Sequence, residues 1–421
     1  MGSKKKRQKQ YFKKKSIKLD RKWIIIAAVA LLVAIAATVI TVVLVKRANE
    51  GSTAGWQEIK PEGIDSAIAD MFIFNYDVGE DDNVKELAEL YGSTLKYAYA
   101  IFDANGLPDD DTLDASVIGL SSLNLSAGVP ISVSPELYSA LELMRADSSR
   151  TLFLGPLHEI YREVFTSHNP SLAASIDPMK NAEKARFCSE IASFAAGDQG
   201  IRYDLTQDNT VVLHIDAAYH DMLDSVGTRN YLDFGWMRDA FIVDTVAESL
   251  ASAGYTNGTV ASYSGFTRNV STDSEQDYSF GLYDLYRNNV YCAASISYKG
   301  AISTVTYKAF SMNANDKKLV YEYSNGDVTH GYLNATDGMP LAACDMMLFH
   351  SAEKSCAEIA VETAGLYITE TEDKDRIEQL QSYGIGAVWC DGTTINYTSD
   401  DISIYDLFSS DSLKIYYNTV K

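Results

Sequence analysis

The residues able to ligate a metal or act as a nucleophile are scattered along this chain. Five cysteines in 421 residues exclude a disulfide scaffold, and their positions (188, 292, 344, 356 and 390) contain no CxxC pair for a zinc or dithiol site. Its six histidines show no metal-ligand spacing; His214 and His220, the nearest two, are six residues apart. No GxSxG occurs, so a serine nucleophile on a strand–turn–helix elbow has no support. Glu358 and Glu362 fall one helical turn apart, a spacing that puts two carboxylates on one face for a ligand or, as commonly, for solvent. Asp216, after the run VVLHI, and Asp337, before Gly338, read as turn formers. The 27 tyrosines are mostly strand and core surface, with rings that can also stack on a flat ligand.

Charge and hydropathy divide the chain. Residues 1–47 hold 13 Lys and Arg against the single Asp20, leaving 23 basic and 56 acidic residues in the remainder. So acidic a body repels phosphate backbones, which argues against nucleic acid as a partner. At 46% hydrophobic the chain has material for a real core, so wholesale disorder is excluded. From Trp23 to Val45 run 23 residues without a charge, Gly or Pro. At 1.5 Å per residue this helix would reach roughly 34 Å, enough to cross the hydrocarbon layer. The basic flank at Lys13, Lys14, Lys15, Lys18, Arg21 and Lys22 predicts a cytoplasmic tail over 1–22, a single transmembrane helix over 23–45 and an exported remainder.

The exported part begins with a small, polar stretch read as a linker over 46–64, followed by one domain over 65–421. Val84, Leu87, Tyr91, Leu95, Ala98 and Ile101 follow helical spacing. Ser134 followed by Pro135 predicts another helix start. Ile242, Val246 and Leu250 line one face of a helix that Gly254 ends. Between 288 and 324 three apolar runs read as successive antiparallel strands, the last ending at an Asn325-Gly326 turn. Helices over 352–365 and 373–383 and the hairpin GAVWCDGTTINYT close the chain. Strands in runs with helices between the runs predict an α+β class, antiparallel sheets with packed helices.

Several stretches, in order, resemble the bacterial FAD:protein FMN transferases of the ApbE family. They are SSLNLSAGVPISVSPELYSALELM (121–144), GPLHEIY (155–161), DSVGTRNYLDFGWMRDAFIVDTVAESLASAGYTNGTVASYSGF (224–266), HGYLNATDGMP (330–340) and SCAEIAVETAG (355–365). The resemblance spans roughly 65–395 and implies the flavin-transferase fold. It also implies FAD and Mg2+ as cofactors, and transfer of FMN from FAD to a threonine of an extracytoplasmic redox partner. Carried onto this sequence, it makes Asp233 and Asp244 the catalytic acids. Ser134, Gly155, Gly235, Ser262, Gly265, His330 and Asn334 become the cofactor-binding set, and Thr363 a metal ligand with Glu358 as a substitute.

The same alignment of motifs departs where the chemistry concentrates. Against the family's DLGGIAKGYAVD this chain reads DFGWMRDAFIVD, with Trp236 at the second glycine and Asp239 at the lysine. A bulky ring fills the place of a close backbone approach, and an anion replaces a cation that would neutralise a pyrophosphate. Arg238 is one residue away, about 100° around a helix. Phe266 stands where the family's GGD motif has its acid, Ile359 where the metal helix has its Asp, and His330 is one residue out of register. The expectation is a membrane-anchored, extracytoplasmic ApbE-like protein with lost or altered catalysis that binds a ligand or a protein. The alternative is a divergent but active FMN transferase.

The predicted topology is N-terminus inside. A C-terminal alkaline phosphatase fusion is expected to be active at the cell surface and a fusion before residue 20 inactive; a mature chain beginning near residue 48 would refute the anchor.

Overall fold

The computed structural model describes residues 54–79, 82–107, 117–312 and 318–421. The apolar run 23–45 and the basic tail lie outside the described residues. Among those described, no helix is long and apolar enough to cross a membrane.

Nine strands form the central sheet and lie side by side in chain order. They are β1 (Gly55–Glu58), β2 (Phe72–Val78), β3 (Asn257–Ser262), β4 (Phe266–Ser271), β5 (Ser303–Lys308), β6 (Met346–Ser351), β7 (Gly386–Asp391), β8 (Thr394–Tyr397) and β9 (Asn418–Val420). Every pairing is antiparallel except the last, in which β9 runs parallel to β8. Side chains alternate across a strand, and β6 uses both faces. Met347 and Phe349 join the larger core, while Met346 and Leu348 join a second one.

Four helices matter for the site: α1 (Val84–Phe102), α2 (Gly155–Thr166), α3 (Arg238–Ser252) and α4 (Cys356–Tyr367). The α1 stripe of Leu87, Tyr91, Leu95, Ala98 and Ile101 is buried as its spacing predicts. Its Asn83 cap accepts the Glu86 amide at 3.3 Å. In α3, Ile242, Val246 and Leu250 are buried, and Gly254 closes the helix at φ 93°, a conformation glycine adopts freely. The helix expected over 352–365 starts later, at Cys356. Ser355 and Glu358 form a reciprocal capping box there, which fixes the first turn.

Two expectations change. The stretch 46–64 is not wholly a linker. Gly55–Glu58 is the edge strand β1, Ile59 is buried and bonds Phe74, and the Glu62 amide bonds the Ala88 carbonyl. An edge strand needs no strict apolar alternation, which is why its polar sequence reads as a tether. The three runs between 288 and 324 are strands but do not pair with one another; they enter three sheets. The first, Asn289–Lys299, pairs instead with Asp277–Tyr286. The turn between them places Arg287 and Asn288 at φ 50° and 58°, the two-residue geometry that suits a hairpin twist.

Gly92 of α1 meets the backbone of the former linker so closely that a Cβ would lie 1.8 Å from the Glu62 carbonyl oxygen. Gly92→Ala is expected to lower unfolding free energy by roughly 1–3 kcal/mol in a denaturant titration. An unchanged midpoint would mean that this segment is a tether after all.

Candidate functional site

The turn entering α3 is built on Asp233. One carboxylate oxygen accepts the Gly235 amide at 2.8 Å, and the other accepts Arg162 Nη2 at 2.7 Å. Gly235 sits at φ 56°, and a Cβ there would come within 2.5 Å of the His158 ring. Only glycine fits that approach. Burial works to raise the Asp233 pKa, but Arg162, His158 and the Gly235 amide outweigh it and hold it below the ordinary value. Burial also lowers the His158 pKa, and its Nε2 lies 3.1 Å from the Thr151 carbonyl and donates to it.

Beyond this turn opens a cleft of about 430 Å3 lined by α1, α2, the start of α3 and the segment around Lys318. Arg238 dominates one wall, its side chain 17% exposed. Its Nη1 donates to Asp103 at 2.5 Å, while Nε and Nη2 donate to Asp239 Oδ1 at 3.0 and 2.9 Å. The Tyr99 ring lies 4.9 Å from the guanidinium. The other Asp239 oxygen accepts Ser264 Oγ at 2.6 Å. Burial acts to lower the Arg238 pKa, and Asp239, Tyr99 and Asp103 overcome it and hold it well above the ordinary value. Arg238 and Asp239 therefore face each other in the cleft, whereas helical geometry alone points them about 100° apart. The long guanidinium side chain folds back to reach its neighbour.

Trp236 fills the floor. It is buried, stacks on Phe266 with ring centroids 6.2 Å apart, and meets Tyr307 and Tyr332 edge-on at 5.1 and 5.4 Å. Among the described residues its indole N–H has no hydrogen-bond partner.

The residues named from the sequence do not converge on this cleft. Asp233 and Gly235 do lie beside it. Asp244, at the middle of α3, instead accepts the amides of Cys356 and Ala357 at 3.0 and 2.8 Å and Arg268 at 3.1 Å. It holds the N-terminus of α4, a place that favours a carboxylate, and does not line the cleft. The Thr363 hydroxyl is fully buried, donates to the Ile359 carbonyl at 2.7 Å and lies 2.7 Å from the Tyr307 hydroxyl. Glu358 is taken by its own helix cap, and Glu362 by Lys354 at 2.7 Å. No metal set forms from these groups, and among the described residues no cluster of three acidic, His or Cys side chains does so elsewhere. Magnesium needs carboxylate or free oxygen ligands, so the residues present do not fit it.

The expected cofactor set is likewise dispersed. Ser134 heads its helix but donates its hydroxyl to the Ile118 carbonyl at 2.9 Å. Gly155 packs on backbone, where a Cβ would lie 2.0 Å from the Asn230 carbonyl oxygen. Ser262 and Gly265 line a separate, smaller pocket of about 210 Å3 against Phe280 and Leu348. Asn334 shapes its own loop, accepting the Thr336 amide at 3.0 Å. His330 is buried, and its Nδ1 has no partner among the described residues. Arg162, Asp103, Ser264 and Lys318, which line or support the cleft, had no sequence signal; an isolated Arg or Asp on a helix is ordinary until the fold shows its partner.

Burial pushes the His330 pKa down to about 4. A histidine held neutral stabilises the fold above its unfolded pKa, near 6.5, and that contribution is lost as pH falls toward the folded value. The difference amounts to about 2 kcal/mol at pH 5. His330→Phe should therefore lose about that much less stability than the parent between pH 7 and 5, measured by urea unfolding; equal losses would mean the ring is protonated in the fold.

No protein-family model and no curated protein matches the sequence. The structure is similar to that of the ApbE protein from Thermotoga maritima, with a TM-score of 0.54 and 14% identity over 83% of this chain and 97% of that chain. It is also similar to the flavin transferase ApbE from Vibrio cholerae, with a TM-score of 0.51 and 13% identity over 84% and 97% of the two chains. The order of motifs and the sheet thus converge on one architecture: the chain has the fold of the ApbE flavin transferases.

Proposed function

We propose that this protein is a membrane-anchored, extracytoplasmic binding protein that keeps the ApbE fold and has given up FMN transfer. The observation that carries this reading is the internal pairing of charge in the cleft. Arg238 is held by Asp103 and Asp239, and Arg162 by Asp233. With Lys318, the described lining and its support contain three cations and three carboxylates. Cleaving a pyrophosphate requires unbalanced positive charge, from cations or a metal, at the developing anions. The engagement of Thr363 by Tyr307 and of both glutamates by Ser355 and Lys354 argues against a metal filling that need.

The anchor rests on the charge-free run 23–45 and its basic flank, and the extracytoplasmic position follows from it. A single helix would keep the binding domain at the membrane surface.

The test is a transfer assay on the full chain in detergent, with FAD, Mg2+ and a threonine-bearing acceptor domain. No flavin fluorescence is expected on the acceptor after denaturing electrophoresis. Magnesium-dependent labelling by the unmodified chain would overturn the binding-only reading.

A further inference from the structure

A second cavity, of about 450 Å3, lies against the hairpin of Ile201–Thr206 and Thr210–Ile215, where the helix Ala217–Asp224 begins. It shares no lining residue with the cleft. Arg202 and His214 are cross-strand partners and so stand on one face of the hairpin. Asp216, two residues beyond His214 and still extended, falls on that same face. Its amide donates to the Gly200 carbonyl at 2.8 Å, which makes Arg202 its diagonal neighbour. Both side chains line the cavity.

Opposite charges at diagonal positions are within reach of each other, yet these two do not pair. Among the described residues Arg202 makes no hydrogen bond or ion pair. Asp216 gives Oδ1 to the Ala218 and Tyr219 amides at 2.8 and 3.3 Å, and its other oxygen has no partner among the described residues. Asp204, two residues along from Arg202, is taken by His214 Nε2 at 2.8 Å. The face therefore holds one cation and one carboxylate apart across an open cavity. A ligand that satisfies both carries an anion and a cation close together. A carboxylate meets the guanidinium fork in two parallel bonds, and an ammonium matches the free Asp216 oxygen. A purely anionic ligand would face Asp216 without a partner for it, and a purely cationic one would face Arg202. Gln199 and His220 add hydrogen-bonding groups, and Ile215 with Ala217 an apolar side. The volume is that of a small-molecule site, which runs from about 300 to 1,000 Å3.

We infer that this cavity binds a free α-amino acid, its carboxylate on Arg202, its ammonium on Asp216 and its side chain toward Ile215 and Ala217. The site is separate from the cleft, so it goes beyond the binding-only reading and stands or falls independently of it.

The test uses radiolabelled L-leucine and two analogues that each lack one charge: 4-methylpentanoate, without the ammonium, and 3-methylbutylamine, without the carboxylate. Binding to the full chain in detergent is read by equilibrium dialysis, with the analogues as competitors. Leucine should bind one to one, and each analogue should compete about fivefold more weakly or worse. Arg202→Met should weaken leucine about fivefold or more. Asp216→Asn keeps a helix cap, since asparagine caps about as well as aspartate, and should weaken leucine about threefold. Both positions are exposed, and the urea midpoint of each variant should stay that of the parent. Competition by 4-methylpentanoate equal to that of leucine would make this a plain anion site and overturn the inference. Leucine binding that neither variant changes would place the ligand elsewhere and overturn it, as would no binding at millimolar leucine. None of these outcomes bears on FMN transfer, which its own assay reads.

Discussion

Arg238 is the constraint around which the site is arranged. A guanidinium more than four-fifths removed from water is tolerable only with carboxylates in contact, since an unpaired buried charge is strongly destabilising. Its partners come from separate parts of the chain. Asp103 follows the last turn of α1, Asp239 lies in the first turn of α3, and Ser264, from the turn between β3 and β4, fixes the second oxygen of Asp239. One cation therefore registers a helix end, a helix start and a sheet turn against each other. Counted with Lys318 and the Arg162–Asp233 pair, the cleft is electrically neutral, and its carboxylates are occupied. Structural need and the charge pattern of the cleft are set by one cluster.

The two acids of α3 show how position decides role. Asp239 is at the cleft. Asp244, five residues on, is turned away and caps α4 through two amides, with Arg268 beside it. Burial raises the Asp244 pKa, and Arg268 with the two amides opposes that rise. α3 thus supports the site with its first turn and the scaffold with its middle. Trp236, Tyr307, Tyr332 and Tyr367 pack ring against ring beside α4. Tyr307 engages Thr363, so a residue that resembles a metal ligand in sequence is part of the packing.

Much of the fold was legible because it rests on local rules. The buried stripe of α1, the Ser134-Pro135 helix start, the Gly254 stop and the Asn325-Gly326 turn each follow from residue type and spacing. The order of motifs was enough to point to the architecture that the solved structures share. The strand pairing was less legible. Arg287 and Asn288 take left-handed conformations without a glycine to announce the turn, so the strand Asp277–Tyr286 went unrecognised. The site was least legible. Its polar groups are defined by long-range partners: Asp103 and Arg238 are 135 positions apart, Arg162 and Asp233 71. No periodicity encodes such pairs. Motif correspondence gave no sign of the local roles of Asp244, Glu358 and Asn334, whose residue types suit ligands and whose hydrogen bonds here serve caps and turns.

The central claim is that the cleft neutralises itself and holds no pyrophosphate or metal. The most direct measurement is native mass spectrometry of the full chain, purified in detergent from cells growing in rich medium. The expected species has the mass of the protein without FAD, AMP or magnesium, unchanged when millimolar FAD and Mg2+ are added before desalting. A stoichiometric FAD–magnesium adduct that survives desalting would contradict it.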